Sequence, residues 1–263
     1  MANPPHTPPA DTRVNPLSDF LVALQFLTVS PSFIKRTFTA SELGRSTAYY
    51  PLVGGLIGGL LWLANRGLDL WFPDMLRAAL VLGLWIIITG ALHLDGFLDS
   101  CDGLLGGLTP KSRLEIMKDE RVGAFGFSGG VILLLVKFSA LAATAPTSPA
   151  LILAPTLSRA CMTLAIYAYP YARIQGLGKA IKDRTGLVQV SLAGLIALAV
   201  AWFAAGLYGI VLLLVAVLLT WIFTLFCLRR IPGLTGDTYG ALNESIELAI
   251  LLLAVALRFG VLP

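Results

Sequence analysis

The feature that most constrains this chain is a succession of apolar runs, each about as long as a bilayer is thick. A helix crossing the hydrocarbon core needs about 20 mainly apolar residues. Seven stretches reach that length: 48–64, 75–92, 129–145, 150–169, 187–204, 207–228 and 241–261. An earlier run, 17–29, is too short to span and is flanked by Asp19 and Pro31, so it reads as an interfacial or re-entrant helix. Composition agrees: 57% of the 263 residues are hydrophobic and 13% charged, too little polar surface to cover a water-soluble globule. A soluble enzyme, a disordered chain and a disulfide scaffold are therefore excluded. Cys101, Cys161 and Cys227 are widely spaced, with no CxxC. The expected fold is all-α, a polytopic membrane helix bundle of about seven transmembrane helices plus the short N-terminal helix.

Residues 1–16 hold Pro4, Pro5, Pro8, Pro9 and Pro16 and read as a disordered tail. They lack the basic region leading into an apolar stretch that a signal peptide needs. Residues 17–263 form a single transmembrane domain, with no internal repeat and with 93–128 as the longest polar connection. Lys and Arg concentrate near 35–45, 111–121, 173–184 and 229–230, whereas the links at 146–149 and around Gly206 carry no charge. The positive-inside rule then makes the basic loops and the N-terminus cytoplasmic and the C-terminus external. The 65–77 link fits less well, because it holds Arg66 and Arg77 beside Asp69 and Asp74. No basic run with interleaved aromatics is present, so nucleic acid is not an expected partner.

The most informative stretch runs from His93 to Gly107. Asp95, Asp99 and Asp102 stand at i, i+4 and i+7, on one face of a helix. Three unpaired carboxylates that close repel one another, and a divalent cation removes the problem; magnesium suits a few carboxylates completed by water and phosphate oxygens. The alternative is a solvated acidic helix end, although Leu94, Phe97 and Leu98 interrupt the acids and a membrane-bordering acid is a functional candidate by default. A second cluster holds Arg113, Glu115, Lys118, Asp119, Glu120 and Arg121 before the Gly-rich turn at 123–126. It reads either as a surface salt-bridge lattice or, for Asp119 and Arg121, as an extra metal ligand and a phosphate-binding cation.

A third cluster, 233–247, pairs the Gly233, Thr235, Gly236 loop with Asp237, Glu244 and Glu247. A Gly-rich loop opening a helix offers backbone N–H groups to an anion, and the helix N-terminus tolerates acids. Lys137 and Arg159 lie inside apolar spans, where a charge must be paired or border water. Lys137 is near enough to a helix end to snorkel; Arg159 suits a substrate phosphate or an acidic partner. His93 reads equally well as a structural histidine. In the predicted orientation all three acidic motifs reach the cytoplasmic boundary, and the absence of GxxxxGK[ST] argues against P-loop ATP hydrolysis.

At LHLDGFLDSCDGLLGG (92–107), RLEIMKDERVGAFG (113–126), PGLTGDTYGALNESIE (232–247) and YYPLVGGLIGG (49–59), the chain resembles the cobalamin synthase family, also called adenosylcobinamide-GDP ribazoletransferases. The likeness runs from about residue 20 onward; Cys101 and Glu120 depart from the family pattern without removing a carboxylate. The resemblance implies an enzyme of the bacterial inner membrane. It would join adenosylcobinamide-GDP with α-ribazole, or its 5′-phosphate, and release GMP in the last step of nucleotide-loop assembly, with Mg²⁺ as cofactor. It also implies that Asp95, Asp99 and Asp102 hold one or two Mg²⁺ ions, with Asp237 and Glu244 completing the sphere. Arg121 or Arg159 would steady the phosphate, Lys137, Gly233, Thr235 and Gly236 would bind substrate, and His93, Asp119, Glu244 or Glu247 would serve the proton transfers. A homo-oligomer stays open.

Two rivals use similar residues. CDP-alcohol phosphotransferases need an Ala-Arg pair after the first Asp-Gly, where this chain has Leu104-Leu105-Gly106-Gly107. A cation- or proton-coupled transporter would place its acids near the midplane on repeated halves, whereas these gather at one boundary.

Overall fold

The structure is a computed structural model describing residues 15–257. Its helices are α1 (Pro16–Leu27), α2 (Ala40–Ser46), α3 (Tyr50–Asp69), α4 (Asp74–Thr89), α5 (Leu92–Cys101), α6 (Pro110–Ile116), α7 (Ala124–Ala143), α8 (Ala150–Ala168), α9 (Leu177–Arg184), α10 (Leu187–Leu228) and α11 (Gly236–Ala256). The described residues contain no strand, only one parallel bridge between Tyr171 and Leu234. Of the expected tail, residues 1–14 lie outside the described residues; Asn15 and Pro16 instead cap and open α1, with Asn15 accepting from the Ser18 amide.

Five helices are long and apolar enough to cross a membrane, and α4 with α5 and the following turn makes a sixth, broken span bent by 93°. The 42-residue α10 is long enough for two crossings. At Gly206 its backbone leaves helical geometry (φ 57°, ψ −134°), and a Cβ on Gly209 would stand 1.9 Å from the Ala201 carbonyl oxygen. Residues eight apart on one straight helix never meet, so α10 folds back on itself as a hairpin, its bend falling between the apolar runs 187–204 and 207–228. The end of the last expected span, 258–261, lies outside the described residues.

The core forms around α8, where Leu151, Leu153, Ala154 and Leu157 are fully buried. α3 crosses it through Gly54 and Gly58, where any Cβ would strike the backbone of Pro155 and Ile152. Such small residues are how membrane helices pack closely without a hydrophobic drive between them. The 65–77 and 144–149 links meet at one end: Asn65 donates to the Pro146 carbonyl, and Arg77 to Thr144. Arg77, which disturbed the charge pattern, is buried and paired with Asp69 (3.0 Å) and Asp74 (2.7 Å).

The 93–128 stretch departs most from expectation. It is not an open loop. Gly90 and Ala91 both take left-handed φ values, 58° and 56°. The chain turns sharply there, and Leu92–Cys101 re-enters the bundle as helix α5, continued by one wide π-turn over 102–106. A non-glycine residue in that conformation costs roughly 1–2 kcal/mol, so packing must hold it.

Candidate active site

What holds α5 is α11. The two helices cross at Gly96 and Gly240, whose missing side chains let the backbones touch: a Cβ on Gly96 would lie 2.9 Å from the Asp237 carbonyl oxygen, and one on Gly240 3.0 Å from that of His93. The crossing brings the first and third acidic motifs together and divides their charges into two environments.

On the dry side, Lys137 of α7 reaches Glu244 (2.7 Å) and Glu247 (2.6 Å), and Arg159 of α8 reaches Glu247 (2.7 Å). Asn243 adds a hydrogen bond to Glu247 (3.0 Å), and the Lys137 ammonium sits 4.2 Å from the centre of the Trp85 ring. Lys137, Arg159 and Glu247 have almost no exposure. Two cations balance two carboxylates, so the charges meet the requirement for pairing in an apolar bundle. Lys137 is committed to these partners rather than snorkelling to a surface. His93 joins the edge of this network, with Nδ1 3.5 Å from Arg159 Nη2. A guanidinium can only donate, so Nδ1 accepts and the ring proton is assigned to Nε2.

On the other side lies a cavity of about 310 Å³, bordered by His93, Asp95, Gly236 and Asp237 and, deeper, by Phe26, Tyr50, Met162 and Tyr239. Asp95 borders it and is exposed; Asp99, one turn on, is half-buried and is not among the residues that line it. Neither makes a hydrogen bond or ion pair among the described residues; Asp99 feels the negative charge of Asp95, Asp237 and Asp102 and, against it, the positive charge of Arg173. Asp237 is held by Arg173 (2.5 Å) and by the Thr235 hydroxyl (3.3 Å). Arg173 comes from the 169–176 connection, fixed to the third motif because the Ala172 amide donates to the Leu234 carbonyl and the Leu234 amide to Pro170 (both 2.8 Å).

The remaining expected residues stand elsewhere. Asp102 is buried and accepts from the amides of Gly123 (2.7 Å) and Gly126 (2.8 Å), closing the N-terminus of α7. A Cβ on Gly126 would stand 2.2 Å from its carboxylate. The Gly-rich turn thus holds the protein's own anion. Asp119 and Arg121 are exposed and pair with each other (2.8 Å), away from the cavity; the guanidinium hydrogen bond holds the Asp119 carboxyl down to about 2. Thr235 is buried and caps α11 through the Thr238 amide, and Gly233 packs on the Pro170–Ala172 backbone; of that loop's three candidates only Gly236 borders the cavity. Glu244, Glu247, Lys137 and Arg159 line none of it.

Among the described residues no three His, Cys, Asp or Glu side chains form a ready-made metal cage. The partnerless Asp95 and Asp99 nevertheless fit magnesium, which is commonly bound through one or two carboxylates plus substrate phosphates.

Fold and site together define a polytopic membrane protein with a carboxylate-edged cavity at one end of the bundle. The sequence profile of the cobalamin-5-phosphate synthase family matches residues 19–255, and the chain belongs to that family. It is 41% identical over 245 residues to an adenosylcobinamide-GDP ribazoletransferase of Desulfitobacterium hafniense (90% of this chain, 96% of the relative). It is 45% identical over 240 residues to one of Pseudomonas aeruginosa (89% and 96%), and 42% identical over 243 residues to one of Stutzerimonas stutzeri (91% and 98%). No solved structure matches significantly.

Proposed function

We propose that the cavity beside Asp95 and Asp99 is where this chain performs the ribazoletransferase reaction of its family. The enzyme joins adenosylcobinamide-GDP to α-ribazole, or its 5′-phosphate, and releases GMP. The observation that carries the placement is the pair of carboxylates on successive turns of α5, left without a partner in a protein that satisfies its other membrane acids. Asp95 and Asp99 would hold Mg²⁺, with Asp237 beside them. When bound, the ion neutralises charge on the phosphoryl oxygens and on the departing GMP. Asp102, whose two oxygens each accept a backbone amide, has a structural role.

The chain's own residues do the rest. With Nδ1 turned to Arg159, His93 meets the cavity as an N–H donor, suited to orienting a phosphate or hydroxyl oxygen. That leaves the carboxylates as acceptors for the proton of the attacking ribazole hydroxyl. The aromatic side chains of Phe26, Tyr50 and Tyr239 give the cavity an apolar wall against which a substrate ring can pack. A space of this size takes a nucleotide-like fragment, so the corrin ring stays outside it. The cavity lies at the end opposite the 65–77 and 144–149 links, on the side of the basic loops, which supports a cytoplasmic site in the bacterial inner membrane. The purified protein in nanodiscs should release GMP from adenosylcobinamide-GDP only when α-ribazole and Mg²⁺ are both present. Release that persists in EDTA, or that ignores α-ribazole, would overturn the proposal.

A further inference from the structure

Neither expected phosphate-binding cation reaches the cavity: Arg121 is spent on Asp119 and Arg159 on Glu247. The cation that does border it is Arg173. Its hold on Asp237 is a single bond, Nη2 to Oδ2, rather than the two-pronged grip that an arginine can give a carboxylate. Its Nε is buried and has no hydrogen-bond partner, so the guanidinium keeps donors in reserve. Arg173 also forms the wall between the main cavity and a second, open one of about 410 Å³ that Lys118 and Gln175 help to line. A planar fork of donors there, between two spaces and beside the partnerless acids, is built for phosphate oxygens.

We infer that Arg173 binds the diphosphate of the substrate, and that its ion pair with Asp237 is a resting contact which the phosphate displaces. In the free protein the pair neutralises Asp237, so that Asp95, Asp99 and Asp237 do not repel as a bare triad. On binding, the phosphate takes Arg173 and leaves the Asp237 carboxylate free for the cation that accompanies the diphosphate. This rests on the transferase reading, and it predicts something a loop-pinning ion pair does not: the two partners behave in opposite ways.

The test is GDP binding in EDTA to the full chain in nanodiscs, measured calorimetrically. Arg173→Ala should weaken binding about tenfold or more, the loss of one charge-assisted interaction. Arg173→Lys should fall between that and wild type, and Asp237→Asn should bind GDP at least as tightly as wild type because a competitor for Arg173 is gone. Wild type that binds no GDP, Arg173→Ala that binds like wild type, or Asp237→Asn that loses as much as Arg173→Ala would each overturn the inference. GMP release by the wild-type protein is scored separately, so failure of the transferase reading and failure of this inference are told apart.

Discussion

The two faces of the α5–α11 crossing use the same residue types to opposite ends. On the dry face, Glu244 and Glu247 meet Lys137 and Arg159, and nearly every charge is neutralised inside the protein. Toward the cavity, Asp95 and Asp99 stand one turn apart with no hydrogen bond or ion pair, and the positive charge that Asp99 does feel, that of Arg173, is already paired with Asp237. Half-buried Asp99 keeps an unpaired carboxylate at a cost, and a divalent cation such as magnesium is the partner that would relieve it. A buried acid in such a chain is thus not evidence of chemistry by its type or depth. Its lack of a partner is the informative property.

Three sets of substitutions sharpen or break that contrast. The largest effect on stability is expected from Glu247→Leu. It strands Arg159, and removing one partner of a buried pair costs about 3–5 kcal/mol; a large drop in Tm in detergent would show it, and an unchanged Tm would remove the structural role given to the dry face. Asp102→Ala uncaps α7 and should cost about 1–2 kcal/mol, with turnover falling only as far as folded protein falls. A disproportionate loss of turnover would return Asp102 to the metal site. The smallest effect belongs to Asp119→Asn and Arg121→Ala, an exposed pair that lines neither cavity, which should leave GMP release within about twofold of wild type. A greater loss would mean that this loop closes onto the substrate.

How much of this was legible in the sequence follows from which signals are local. The spans were, because length and hydropathy need no tertiary context, and the break at Gly206 fell where two apolar runs met. The α5 helix was legible in the i, i+4, i+7 spacing of Asp95, Asp99 and Asp102, but its place was not: the stretch read as a polar connection, and packing of Gly96 on Gly240 draws it into the bundle. The dry network was half visible. Lys137 and Arg159 demanded partners, but nothing local says that those partners are Glu244 and Glu247, about a hundred residues away. Asp102 was misleading for a different reason. Its partners are the backbone amides of Gly123 and Gly126, which have no side-chain signature, so the sequence could only group it with Asp95 and Asp99 as a metal ligand. Arg173 served in the sequence only as one more cytoplasmic charge; its position at the cavity depends on the Tyr171–Leu234 bridge.

The central claim is that the open pair works and the paired quartet supports it. Its most direct test is GMP release by Asp99→Asn in nanodiscs with saturating Mg²⁺, beside Tm in the same preparation. The claim predicts a fall in turnover of about a hundredfold or more, the scale seen when a charge-stabilising group is removed from an active site, with Tm no lower than wild type. Turnover near wild type at saturating Mg²⁺ would contradict it.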